Sequence, residues 1–114
     1  MEDLSELETI LLTGLTTKYP SLKSHVPHLK VSKREKSGLG MIVHFEYVNF
    51  NDPLEDINAL FSTEENIELK NLRNGLSYLI DVTDGEIKYI DFFTSGEEWN
   101  GKFVDFKIIK EEDV

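Results

Sequence analysis

The segment from Leu76 to Phe93 constrains the fold most, because it holds two alternating apolar and polar runs that meet at Asp84-Gly85. An Asp-Gly pair in this setting predicts a β-hairpin with a two-residue type I′ turn, in which both turn residues take positive φ angles. In the register of that turn, Tyr78 lies opposite Asp91. The predicted inner face is apolar except for Asp91, and its other members are Leu76, Tyr78, Ile80, Val82, Ile87, Tyr89 and Phe93.

Asp91 is the residue that this register leaves unexplained, because an unpaired carboxylate on a buried face is costly. One hypothesis makes it a general acid or base in a pocket lined by Tyr78, Tyr89 and Phe93. The other makes it a structural carboxylate that accepts hydrogen bonds from tyrosine hydroxyls, backbone amides, Arg34 or Arg73. The second is favoured, because no second catalytic group lies at a recognisable spacing, and no catalytic residue is assigned. A bulge near Thr94 would turn Asp91 outwards instead.

The rest of the chain predicts a helix, a loop and further strands. Asp3 to Lys18 has apolar residues at helical spacing and ends before Pro20, which stops a helix. Tyr19 to Leu29 contains two prolines and is expected to be a loop. Lys30 to Lys36 and Met41 to Val48 predict a second hairpin, joined by a turn at 37–40.

Two more elements complete the predicted fold. Leu54 to Phe61 predicts a second short helix with Asp52 as its N-cap, and Phe103 to Ile109 predicts a last strand. Because helices and strands do not alternate regularly, the expected class is α+β, with one domain over residues 1–114. The N-terminal amphipathic helix should pack on a mainly antiparallel sheet of about four to six strands.

Composition excludes several kinds of site. The chain has no cysteine, which removes disulfides and thiolate chemistry, and no apolar run long enough to cross a membrane. Its first residues lack the basic start of a signal peptide, so a cytoplasmic location is expected. His25 and His28 are separated by Pro27 and have no third ligand nearby, so neither a metal nor a cofactor is predicted.

Charge is distributed unevenly along the chain. The net charge is −10, from 22 acids and 12 bases, which argues against binding of a nucleic acid backbone. Residues 37–69 contain no lysine or arginine, and their polarity would suit a basic partner, although an acidic surface also serves solubility alone. We call this stretch the acidic segment, and its acids are Glu46, Asp52, Glu55, Asp56, Glu64, Glu65 and Glu68.

Three short motifs stand out between residues 31 and 99. They are residues 31–40, with Arg34-Glu35-Lys36-Ser37-Gly38-Leu39-Gly40, residues 72–75 leading into the Asp84-Gly85 hairpin, and Ile90-Asp91-Phe92-Phe93-Thr94 ahead of Trp99. Together they resemble a family of short uncharacterised bacterial proteins. The resemblance covers roughly residues 30–100 and departs from the family pattern at Ser37, Asp91 and Phe92. It implies that Arg34, Glu35 and Asp91 form one polar site, in which Arg34 pairs with the Asp91 carboxylate.

These observations leave three functional hypotheses. The first is a non-enzymatic protein-binding module that holds a basic protein on the acidic segment, as immunity proteins and antitoxins do. The second is a small-molecule or weakly catalytic site around Arg34, Tyr78, Tyr89 and Asp91. The third is a homodimer formed through an apolar face of Leu79, Ile90 and Phe92. Trp99 is expected either to anchor a partner or to fold back as a lid on the sheet.

Overall fold

The computed structural model describes residues 1–63 and 65–109, and within them it confirms the α+β class. The elements are α1 (Glu6–Lys18), a 3₁₀ helix (Pro20–His28), β1 (Leu29–Lys36), β2 (Gly40–Tyr47), β3 (Ala59–Phe61), β4 (Asn66–Glu68), β5 (Leu76–Thr83), β6 (Glu86–Thr94) and β7 (Lys107–Ile109). The seven strands form one sheet, with slightly more strands than expected, and all the strand pairings are antiparallel. Across the sheet the strands run in the order β1-β2-β6-β5-β4-β7, and β3 also pairs with β5.

Helix α1 begins at Glu6, three residues later than the predicted segment, because Ser5 caps it. The Ser5 hydroxyl accepts a hydrogen bond from the Glu8 amide, and the Glu8 carboxylate accepts one from the Ser5 amide at 2.8 Å, which is a capping box. Residue Glu2 instead forms a β-bridge with Val31. The helix packs its apolar side on the sheet, where Leu7, Leu11, Leu12 and Leu15 are buried.

The second short helix exists, but the sequence placed it wrongly. It is the 3₁₀ helix at Pro20–His28, where a loop was expected, whereas residues 54–61 are not helical. The 54–61 segment crosses the β5–β6 turn, where the Gly85 amide donates to the Ile57 carbonyl at 2.9 Å. Its last three residues then pair with β5 as strand β3. Sheet pairing therefore satisfies the backbone groups that a helix would otherwise have satisfied internally.

The β5–β6 hairpin has the predicted turn and a different register. Asp84 and Gly85 both have positive φ, at 51° and 79°, as a type I′ turn requires. Val82 still pairs with Ile87, but Asp81 pairs with Tyr89, so Lys88 is an extra, bulged residue. Every pair beyond the bulge is displaced by one residue, so the predicted Tyr78–Asp91 pair is wrong.

The bulge exchanges the two faces of β6 beyond Lys88. Ile90 and Phe92 are each 0% exposed in the core, whereas Tyr89 is half-buried and Phe93 is 43% exposed on the other face. Asp91 lies opposite Leu79, on the face turned away from α1. The predicted apolar face of Leu79, Ile90 and Phe92 is therefore also wrong. A register without the bulge would bury a carboxylate, which the bulged register avoids.

Trp99 folds back over the edge of the core. Its side chain is 3% exposed, its ring centroid lies 6.4 Å from that of Phe92 and 5.7 Å from that of Phe103, and its indole nitrogen donates to the Lys102 carbonyl. Of the two placements predicted for Trp99, the lid is correct and the exposed partner anchor is wrong. The helix and this segment cover one face of the sheet.

Candidate functional site

The candidate site lies on the face of the sheet that is turned away from α1, which we call the open face. The pairing registers of β2, β6, β5 and β3 arrange its side chains in two rows across the strands. One row is Ile42, Asp91 and Leu79, the other is His44, Tyr89, Asp81 and Leu60, and Phe93 follows Asp91 along β6. Apolar and aromatic side chains therefore surround two carboxylates.

Asp91 sits at the centre of this face. Ile42 and Leu79 flank it on the neighbouring strands, and Tyr89 and Phe93 flank it along its own strand. Among the described residues, no group donates a hydrogen bond to its carboxylate and no base forms an ion pair with it. Partial burial raises the pKa of Asp91, because its apolar neighbours keep water from part of the charged group.

Asp81 is the second carboxylate of the open face. The Thr83 hydroxyl donates a hydrogen bond to it at 2.7 Å. Asp81 lies diagonally from Asp91 on adjacent strands, a relation that places side chains about 7–8 Å apart. Burial raises the pKa of the neighbouring Tyr89 hydroxyl, and the charges of Asp81 and Asp91 add to that effect.

Glu35 lies at the border of the open face, and its carboxylate contacts two neighbouring side chains. The His44 ring nitrogen contacts its carboxylate at 3.1 Å, and the Lys33 ammonium lies at 3.6 Å. The contact with His44, followed by the charge of Lys33, lowers the pKa of Glu35. The His44 ring also lies 6.1 Å from the Tyr89 ring, measured between centroids. Glu35 therefore lies on the same face as Asp91, with Ile42 of β2 between them.

Arg34 lies on the opposite side of the sheet, so the pair between Arg34 and Asp91 that the resemblance implies is wrong. Its guanidinium donates two hydrogen bonds to the Glu8 carboxylate, at 2.6 Å and 3.0 Å, and lies 3.4 Å from Glu2. This geometry raises the pKa of Arg34, chiefly through the bonds to Glu8. A register shift between Val31 and Lys33 turns Arg34 towards α1.

Glu8 lies in the first turn of α1 and is a charged residue that belongs to none of the sites predicted from the sequence. It is 0% exposed, and its oxygens are satisfied by Arg34 and by the Ser5 amide. The Ser5-x-x-Glu8 spacing is a signal of the capping box that the sequence already contains. The partnership with Arg34 has no such signal, since it depends on how helix and sheet pack.

Tyr78 is separated from the open face as well. It is buried in the core at 4% exposure, and its hydroxyl lies 3.0 Å from the Thr63 hydroxyl. Burial raises the pKa of Tyr78. Of the five predicted members of the polar site, the structure brings Glu35, Tyr89 and Asp91 to one face and places Arg34 and Tyr78 behind it.

The acidic segment is divided between two ends of the sheet. Asp52, Glu55 and Asp56 lie where the chain crosses the β5–β6 turn, so close that a β-carbon on Gly85 would meet the Glu55 carbonyl oxygen. Glu65 precedes β4 and Glu68 is its last residue, and β4 pairs with the far end of β5 at Leu76, roughly 20 Å away along the strand. Glu46 is exposed on β2, and Glu64 lies outside the described residues.

The acids beside the β5–β6 turn form a surface that we call the acidic end. Its members are Asp52, Glu55, Asp56, Asp84 and Glu86. Within residues 1–63 and 65–109, the only ion pair of this group joins Glu86 to Lys88, at 3.6 Å. The Ser21 hydroxyl also donates to Glu55, at 3.1 Å. Most of the negative charge here has no counterion within the described chain.

Three depressions of the surface lie elsewhere. One of about 430 Å³ is lined in part by Ser5, Arg34 and Phe106, one of about 370 Å³ by Asn66 and Arg73, and one of about 330 Å³ by Lys36 and Trp99. Asp91 lines none of these three. The described residues contain no group of three side chains suited to a metal, and no described helix could span a membrane.

His25 and His28, the histidines weighed as metal ligands, have structural partners. The His25 ring nitrogen lies 2.8 Å from the Tyr47 hydroxyl, which in turn accepts a hydrogen bond from the Ile87 amide. His28 contacts the Val48 carbonyl at 3.0 Å. Burial lowers the pKa of His25 and raises the pKa of Tyr47 to about 12.

Comparison of the chain with protein-family models, with curated proteins and with solved structures found no significant match.

Proposed function

We propose that this chain is a non-catalytic protein-binding module that holds a basic protein on its acidic surface. This is the kind of task that immunity proteins and antitoxins perform. The proposal is supported chiefly by the lack of ion pairs on two surfaces. On the acidic end and the open face, most of the described carboxylates have no basic partner. A partner that supplies the missing positive charge would be attracted to both surfaces.

The placement of Arg34 and Asp91 supports binding over catalysis. The two residues of the alternative small-molecule site lie on opposite sides of the sheet, and Arg34 is already held by Glu8. Asp91 lies on an open strand surface instead of at the floor of one of the three depressions. A sheet surface of this kind suits contact with another protein better than it suits enclosure of a small substrate.

The proposal is tested with two fluorescein-labelled peptides of equal length, one with alternating apolar and basic residues and one with acids in place of the bases. Fluorescence anisotropy should show binding of the basic peptide alone, and its Kd should rise at least about tenfold between 25 and 300 mM salt. Equal affinity for both peptides, or an affinity that salt does not change, would contradict the proposed function.

A further inference from the structure

The open face combines apolar contact area with unpaired negative charge. Leu60 is 63% exposed and Phe93 is 43% exposed, and Ile42, Leu79 and Tyr89 are half-buried beside them. Scattered exposed apolar residues are ordinary on a protein surface, but here they are diagonal neighbours on adjacent strands, around Asp91. A surface of this composition can bind a protein segment by burying apolar area around a polar contact.

Asp91 determines what that polar contact must be. Its carboxylate is partly desolvated by four apolar or aromatic neighbours, and no described residue supplies it with a proton donor or a cation. Covering the face with a purely apolar segment would bury this charge unpaired. Covering it with a segment that carries a cation would satisfy it.

We propose that the open face receives an arginine side chain of the basic partner, whose guanidinium pairs with Asp91 while its stem and plane pack on Tyr89 and Phe93. This inference rests on the proposed function, since it assigns the place at which the basic partner is recognised. The basic partner would then contact both the acidic end and the open face, and the open face would determine specificity.

Arginine fits this place better than lysine does. A guanidinium can form two parallel hydrogen bonds with a carboxylate and can stack on an aromatic ring at the same time. Aromatic side chains lie on both sides of Asp91 along β6, two residues away in each direction. The ammonium group of a lysine is more strongly hydrated and is a point charge, so it gains less from the aromatic neighbours.

A second copy of the chain is a poor occupant of the same surface. A symmetric dimer would bring Asp81 and Asp91 of one copy towards the same residues of the other, and like charges in a desolvated contact repel. Charge complementarity therefore favours a basic partner over self-association.

The test uses the full chain and a 12-residue probe peptide in which arginines alternate with apolar residues, together with versions that carry citrulline or lysine in place of arginine. Citrulline keeps the shape of arginine and lacks its charge. The variants are Asp91→Asn and, as a control of equal charge, Asp56→Asn on the acidic end. Affinity is measured by fluorescence anisotropy, the contact surface by amide chemical shifts of the ¹⁵N-labelled chain, and the fold of each variant by thermal unfolding.

We expect Asp91→Asn to weaken binding of the arginine peptide about tenfold and Asp56→Asn to weaken it less than about twofold. The citrulline peptide should lose most of its affinity and the lysine peptide part of it, and the largest shifts should fall on residues 79, 89, 91 and 93.

Three outcomes would overturn the inference. Equal losses in the two variants, with shifts confined to the acidic end, would leave the proposed function standing without the open face. Undiminished binding of the citrulline or lysine peptide would contradict the arginine contact. A concentration-dependent dimer in light scattering, abolished by Phe93→Ser, would assign the face to a second copy. Failure of every basic peptide to bind better than its acidic counterpart would instead reject the proposed function itself.

Discussion

At the scale of single residues, the chain contains two unusual carboxylates in opposite situations. Glu8 is 0% exposed and held by Arg34 and by its own helix cap, so it serves the fold. Asp91 is half-buried, and its carboxylate has no hydrogen-bond or ion-pair partner among the described residues, so the fold gains nothing from its charge. A residue whose charge opposes folding is a candidate for binding, because a charge that does not stabilise the fold can be kept for its function.

Asp91→Asn is expected to leave the fold intact and to unfold at the same temperature as the parent chain or up to about 4 °C higher. Burial raises the pKa of the Asp91 carboxyl, so the folded state holds its proton more tightly than the unfolded state does. Its contribution is therefore most favourable at low pH and is lost as pH rises through the folded pKa. Calorimetry at pH 7 measures the difference, and a clear fall in Tm would reveal a structural role.

Arg34→Met is expected to destabilise the chain by about 2–4 kcal/mol, because it leaves the Glu8 carboxylate buried without its cation. Lys33→Met, on the exposed neighbouring residue, is the matched control and should change stability by less than about 0.5 kcal/mol. Urea unfolding provides both values. If the double variant Glu8→Gln with Arg34→Met is no more stable than Arg34→Met alone, the buried charge is not the cause.

His25 is expected to make the stability of the chain depend on pH below neutrality. Desolvation lowers the pKa of the buried His25 ring, and the nearby Asp52, Glu55 and Glu86 only partly oppose this. A histidine with a lowered folded pKa binds fewer protons in the folded state, so its contribution is complete above the unfolded value of about 6.5 and is lost as pH falls below it. His25→Gln should flatten the fall in Tm between pH 7.5 and 5.5, and an unchanged slope would contradict this assignment.

At the scale of elements, sequence patterns predicted the features that local chemistry determines and missed those that depend on packing. The Asp84-Gly85 turn, the β1–β2 hairpin and helix α1 each have a local signal, and the structure contains all three. The bulge at Lys88 has none, since it follows from which side chains of β6 fill the core. Because side chains alternate along a strand, that one residue moved Asp91 from the inner face to the open face.

Packing without a local sequence signal also explains why the second helix was misplaced and why the predicted polar-site residues lie on two sides of the sheet. Residues 54–61 have helical spacing, but contacts with the β5–β6 turn and pairing with β5 override it. Tyr89 and Asp91 could be named from the sequence as unusual, and they do share a face. Arg34 could not be placed, because its direction depends on the register shift in β1.

The two glycines of the β1–β2 turn offer a matched comparison at this scale. A β-carbon at Gly40 would lie 2.4 Å from the Phe92 carbonyl oxygen, where β2 approaches β6, whereas one at Gly38 would meet nothing within 4 Å. Gly40→Ala should therefore destabilise the chain by at least about 2 kcal/mol, and Gly38→Ala by less than about 0.5 kcal/mol. Urea unfolding compares them, and equal effects would show that β2 and β6 can separate without loss.

At the scale of the whole molecule, charge and architecture are arranged on different sides. The helix and the Trp99 segment close one face of the sheet, while the acidic end and the open face both carry acids that have no basic partner among the described residues. With a net charge of −10, the chain would attract a basic protein from a distance, and the open face would then select it by contact.

The most direct test of this account is a double-mutant cycle between the Asp91→Asn variant and the arginine-to-citrulline change in the basic peptide. If the guanidinium pairs with Asp91, the two changes should share a coupling free energy of at least about 1 kcal/mol, and each should do little once the other is present. A coupling energy near zero, with each change weakening binding independently, would contradict recognition of the basic partner by Asp91 on the open face.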